Sequence, residues 1–165
     1  MLAKLKDALA KFPSGVVVVT TRDGKGNPWG FTASSFSSVS LDPALVSVCL
    51  SVDAECFATF RSCRRMAISI LAAGDGELAR RFATRGCDKF SGHDFIDDDW
   101  GMPTVAGAIA TLSCRRDRTI RCGDHVILIG ATEHVEVSDD ADSMIYYRRR
   151  FLSAGAAGDA ALVGA

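Results

Sequence analysis

Residues 15–21, GVVVVTT, set four valines and two threonines in succession, a β-branched run too dense for a surface helix. The segment reads as a strand. The turn-rich RDGKGNP follows, and WGFTASSFSSVS over 29–40 reads as a second strand, with serines and a threonine where a core strand carries Val or Ile. Something polar is expected to lie against it.

The same reading continues along the chain. Asp42-Pro43 makes a turn, and ALVSVCLS over 44–51 alternates, with Leu45, Ser47, Cys49 and Ser51 on one face and Val46, Val48 and Leu50 on the other. MAISIL at 66–71 reads as a buried strand. GAIATLSCRR and HVILIGATEHVEV supply two long strands, with the turn CGDH between or before them. Two or three short helices are expected. Leu2, Leu5, Leu9 and Phe12 form an apolar stripe ended by Pro13, Asp53 can cap a helix carrying Cys56, Phe57 and Phe60, and DGELARRFA sets Leu78 and Phe82 four apart. HDFIDDDWG at 93–101 reads as an acidic surface loop, DSMIYYRRRF at 142–151 as helical or extended, and the Gly/Ala-rich tail 153–165 as frayed. Six or seven strands without βαβ alternation predict an antiparallel barrel in a single domain over 1–165.

Composition narrows the function. With 48% hydrophobic residues the 165-residue chain can bury a core, and a net charge of −1 gives no general reason to bind nucleic acid or an anionic membrane. No uninterrupted apolar run of about 18 residues appears, and MLAKLKDALAKF mixes Lys and Asp through its apolar positions. A membrane span and a signal peptide are therefore not expected. Cys49, Cys56, Cys63, Cys87, Cys114 and Cys122 contain no CxxC pair and read as cytosolic thiols, and the scattered His93, His125 and His134 suggest no metal site.

The dinucleotide fingerprint GxGxxG, the P-loop and the GxSxG elbow are all absent. What remains is a polar strand face. Ser and Thr hydroxyls with strand-edge amides can hydrogen-bond the edge of a flat neutral heterocycle. Arg80, Arg81, Arg85 and Lys89 could hold its phosphate, or could form an ordinary solvated helix face.

These segments carry a family resemblance. ALAKFPSGVVVVTT, GFTASSFSSVSLDPALVSVCLS, LARRFATRGCDKF, GDHVILIGATEHVEV and YYRRRF follow in the order seen in the flavin reductase-like, FMN-binding split-barrel family, from about residue 9 to residue 151. In particular the chain is similar to the small reductase components of two-component flavin-dependent monooxygenases. The resemblance implies a Greek-key split β-barrel, mainly β with a few short helices. It implies that Thr32, Ala33, Ser34 and Ser35 contact the flavin edge and that Cys49, Leu50 and Ser51 form a second contact segment, Cys49 as a small packing residue. It also implies that Arg81, for which the neighbouring Arg80 could substitute, lies near the ribityl phosphate with Phe82, Ala83, Lys89 and Phe90. Gly123, Asp124 and His125 match the GDH tripeptide, with Asp124 beside the cofactors and His125 facing the nicotinamide as a positioning group. Tyr147 and Arg149 lie in a loop bordering the site, and Arg149 stands where many members have Gly.

The implied activity is NAD(P)H:flavin oxidoreduction, with FMN or FAD, and NADH or NADPH, left open. Reduced flavin would leave for a separate monooxygenase, and a cytoplasmic homodimer would complete the site. The rival reading is a flavin carrier or sensor that turns nothing over. Trp29, just ahead of the serine-rich segment, could shield the ring or pack between subunits.

Overall fold

The valine run forms β2 (Val17–Arg22), an interior strand of a seven-stranded antiparallel sheet in a computed structural model that describes residues 1–92, 94–138 and 142–155. Strands are numbered along the chain. The sheet order is β3 (Pro28–Ala33), β2, β6 (Arg65–Ile70), β9 (Ala110–Cys122), β10 (His125–Val137), β5 (Ala44–Ser51) and β4 (Ser37–Leu41). A three-stranded sheet joins β1 (Ser14–Gly15), β11 (Met144–Tyr147) and β12 (Arg150–Ser153), and β7 (Phe95–Asp97) pairs with β8 (Pro103–Val105). The helices are α1 (Leu2–Leu9), α2 (Phe57–Ser62) and α3 (Gly76–Ala83).

Two cores explain why the valine run has no polar alternation. Val17 and Val19 pack with Phe31, Val48, Phe60 and Ile68, inside the curved sheet. Val16 and Val18 pack instead with Leu71, Leu78, Phe82 and Met144, beneath α3. Every residue from 16 to 21 is buried. Each such valine contributes about 1.5–3 kcal/mol by leaving water, so β2 anchors both layers.

The two edge strands, β3 and β4, are sequence neighbours linked by residues 34–36, yet they do not pair with each other. The barrel is split along that seam. For this reason the serine-rich segment expected as one strand is two, broken where the sheet edges part. β5 alternates as expected, with Val46, Val48 and Leu50 buried and its odd-numbered residues from Leu45 to Ser51 half-buried.

Other elements depart from expectation. Among the described residues twelve strands form rather than six or seven, because short pairings escape a reading based on hydrophobic period. The acidic stretch contains β7, which zips onto β8, and the 142–151 segment is the hairpin of β11 and β12. Asp53 caps no helix: α2 begins after Cys56. The turn CGDH lies between β9 and β10, where Gly123 takes φ 59°, a left-handed backbone suited to glycine. The apolar stripe of α1 exists but faces outward, with Leu2, Leu5, Leu9 and Phe12 all more than half exposed. The tail assigned to 153–165 starts in β12, and residues 156–165 lie outside the described residues.

Candidate functional site

A cleft of about 550 Å³ opens beside the seam, between β3, the end of β5 and the chain that follows α3. Its construction begins at Gly30. A Cβ there would stand 2.6 Å from Phe82 Cε1 and 2.9 Å from the Val19 carbonyl oxygen, so only glycine lets α3 pack this closely on β3. The Thr32 hydroxyl donates to the Ala79 carbonyl at 2.7 Å and fastens the same contact. Phe82 thereby reaches the cleft wall, where its ring meets Phe90 and Phe95 at centroid distances of 5.1 and 5.4 Å.

The opposite strand supplies Cys49, Leu50 and Ser51. Register places His125 directly across from Ser51, and the Val52 N–H donates to the Asp124 carbonyl at 3.0 Å, fixing the imidazole at the cleft. His125 Nδ1 lies 2.8 Å from Asp124 Oδ1. The carboxylate can only accept, so Nδ1 carries the proton of this hydrogen bond. That hydrogen bond, followed by the charge interaction with His125, holds the Asp124 carboxyl below the usual range.

Arg85 and Lys89 are the two cations on the cleft wall. Arg85 donates to the Asp53 carbonyl at 2.9 Å, Lys89 donates to the Thr84 carbonyl, and Lys89 Nζ lies 3.7 Å from Glu55 Oε2. Glu55 also accepts from the Gly86 N–H at 2.9 Å, which ties the 84–89 loop to the 53–55 loop. Trp29 lines the cleft and donates from Nε1 to Asp23 at 3.2 Å. Burial lifts the thiol of Cys56, another wall residue, to about 11, so it stays protonated and acts as packing.

Of the residues singled out from sequence, Thr32, Cys49, Leu50, Ser51, Phe82, Ala83, Lys89, Phe90 and His125 come together on this cleft. The others lie elsewhere. Ala33 is buried in the sheet core, and Ser34 and Ser35 are exposed at the seam. Ser35 accepts a hydrogen bond from the Cys49 N–H, so it holds β5 rather than lining the cleft. Arg81 turns away to donate to the Ser91 carbonyl at 3.0 Å and to pair with Asp94. Asp124 is exposed behind His125, and Tyr147 and Arg149 sit on the β11–β12 hairpin, outside the cleft. Arg85, offered from sequence as a phosphate group's partner or a solvated cation, and Trp29, offered as a ring shield or an interface residue, both line the wall, and Glu55 joins it without having been selected. Trp29 and Arg85 had signals, a bulky ring ahead of the polar strand and a cation one turn past Arg81, whereas Glu55 had none.

Among the described residues no group of three or more His, Cys, Asp or Glu side chains is arranged for a metal ion, and no helix is long and apolar enough to cross a membrane.

Residues 9–155 match the sequence model of the flavin reductase like domain. The chain is 42% identical over 147 residues to the actinorhodin polyketide dimerase of Streptomyces coelicolor, covering 89% of this chain and 83% of that protein. The NADH:FAD oxidoreductase of Streptomyces globisporus, solved with NAD and FAD fragments, superposes with a TM-score of 0.89 at 35% identity, covering 97% of this chain and 95% of that one. The flavin reductase component of a bacterial two-component tryptophan halogenase superposes with a TM-score of 0.86 at 31% identity, covering 93% and 98%.

Proposed function

The chain belongs to the flavin reductase-like domain family, and from that premise we propose that it is an NAD(P)H-dependent flavin reductase of FMN or FAD. One observation carries the reading: a single cleft combines aromatic walls, two cations and a carboxylate-oriented imidazole. The lining fits a phosphorylated flavin. The volume is in the range of small-molecule sites, Trp29, Phe82 and Phe90 offer flat apolar surface, and Arg85 and Lys89 offer charge to a phosphate.

When bound, the flavin supplies a hydride acceptor for the dihydronicotinamide. The chain itself binds and orients. Arg85 and Lys89 would hold the phosphate in place of their carbonyl partners, and Phe82 and Phe90 would cover the ring system from water. His125, held by Asp124, would hydrogen-bond the carboxamide through Nε2 and so set the nicotinamide against the ring. Ser35 acts one step removed, by fixing the backbone at Cys49.

The chain acts as one domain over 1–165 and delivers reduced flavin to a separate monooxygenase, in keeping with its likeness to a two-component reductase. The outward apolar stripe of α1 favours pairing with a second copy, and six free thiols suit the reducing cytoplasm.

The test mixes purified protein with NADH or NADPH and free FMN or FAD while the dihydronicotinamide absorbance is followed. Oxidation in at least one combination is expected. Flavin binding with no oxidation in all four would leave a carrier and overturn the reductase.

A further inference from the structure

Arg148 and Arg149 both adopt left-handed backbone, φ 49° and 63°, in the two-residue link between β11 and β12, where Tyr147 pairs with Arg150. Hairpin links of this hand favour Asn-Gly or Asp-Gly, because a Cβ is strained there. Two successive arginines in this conformation are a local conflict, and such conflicts collect where a side chain is needed for its chemistry.

The hairpin borders a groove of about 490 Å³ lined by Arg80, Tyr146, Arg149, Arg150 and Phe151. No lining residue is shared with the flavin cleft. Arg80 comes from α3, with its guanidinium carbon 5.5 Å from the Phe151 ring centroid, and Tyr146 packs against the same ring at 5.4 Å. The groove thus brings three guanidinium groups from two elements onto an aromatic floor. Arg149 reaches Asp7 of α1 at 2.8 Å, but both side chains are more than 60% exposed, so water screens the pair and an anionic ligand can displace it. Among the described residues, Arg80 and Arg150 have no carboxylate partner. The hairpin is nevertheless held in place, since the Arg148 N–H donates to the Ala10 carbonyl at 2.8 Å.

We propose that this groove is a second ligand site, for the phosphate or diphosphate group of a nucleotide, separate from the flavin cleft. Guanidinium forks match phosphate oxygens in pairs, and three of them can surround a diphosphate. The group could belong to a free nucleotide or to the diphosphate bridge of the dinucleotide; the recognition chemistry is the same.

The experiment is calorimetric titration of the full chain with pyrophosphate. Saturable binding is expected in wild type, and one saturable site is expected to persist in the Arg85→Gln/Lys89→Gln double variant, which removes both cations of the other cleft. Arg80→Gln and Arg149→Gly should each weaken binding at least tenfold. Arg149→Gly should also melt no lower than wild type, because glycine suits φ 63°. Its loss of binding would then not be a failure to fold. Competition by ADP alone assigns the groove to a free nucleotide, and competition by both ADP and NADH assigns it to the dinucleotide as well. Absence of saturable binding, unchanged affinity in Arg80→Gln and Arg149→Gly, or loss of binding in the double variant instead would overturn the proposal. None of these readouts involves turnover, so they are independent of whether the chain reduces flavin.

Discussion

The backbone N–H of Cys49 donates to the hydroxyl of Ser35 across 2.9 Å, joining residues 14 apart over the open seam of the barrel. This contact holds the end of β5 at the cleft wall. Ser35→Ala leaves that N–H without its partner, and a hydrogen bond of this kind contributes about 1 kcal/mol, roughly a fivefold change in an equilibrium. Flavin affinity, read by quenching of flavin fluorescence, should fall by about that factor. Unchanged affinity would mean that the seam contact does not support the site.

Arg85 and Lys89 face the cleft, whereas Arg81 is committed to Ser91 and Asp94. Charge-assisted bonds to phosphate contribute about 1.5–3 kcal/mol each, so Lys89→Gln or Arg85→Gln should weaken FMN binding about 10- to 100-fold. Riboflavin, which lacks the phosphate, is the internal control and should bind both variants as it binds wild type. Arg81→Gln should spare FMN affinity and lower the melting temperature. Equal losses for FMN and riboflavin would place the phosphate elsewhere.

Asp124 acts through His125. Removing the acceptor in Asp124→Ala frees the imidazole to rotate and to change tautomer, and His125→Ala removes the ring. Both variants should raise KM for NADH severalfold while the flavin Kd stays constant, with the larger effect for His125→Ala. An unchanged KM in His125→Ala would remove the histidine from the nicotinamide contact.

The sequence made the strands legible wherever burial imposed a period. β2 is a two-sided core strand and reads as an unbroken valine run; β5 is one-sided and reads as alternation. It left the seam hidden, because serines 34 and 35 look like strand residues and only the absence of β3–β4 pairing reveals the break. The same limit governs the site. Phe82, Lys89 and His125 are marked by their segments, but that Arg85 rather than Arg80 or Arg81 faces the cleft depends on where α3 ends, two residues before it. Asp94 captures Arg81 from a loop 13 residues downstream, a contact that no local pattern encodes.

Gly30→Ala tests the docking of α3 on β3. The added Cβ would fall 2.6 Å from Phe82 Cε1 and 2.9 Å from the Val19 carbonyl oxygen, and the second of these is backbone that cannot step aside. Overpacking of this kind costs about 1–3 kcal/mol, which for a chain of this size lowers Tm by roughly 2–4 °C per kcal/mol. Combining it with Phe82→Leu should recover part of the loss, because the clash with the ring is relieved. A double variant whose losses simply add would show that the two residues are not in contact.

Asp23 links the turn before β3 to the cleft wall, accepting from the backbone N–H of Lys25 and Asn27, from Asn27 Nδ2 and from Trp29 Nε1. These bonds, the Asn27 side chain foremost, hold its carboxyl down at about 2 against an ordinary 3.8. A carboxyl depressed in the folded state adds stability that is fully present above about pH 4 and is lost as pH falls through about 2. Asp23→Ala should therefore melt below wild type at pH 6, and the gap should close between about pH 4 and pH 2. In a Trp100→Phe background, Trp29 emission should shift toward the exposed form over the same interval, since protonation releases the indole N–H. A gap that stays constant down to pH 2 would mean that the turn owes nothing to the charge and that Trp29 is held by packing alone.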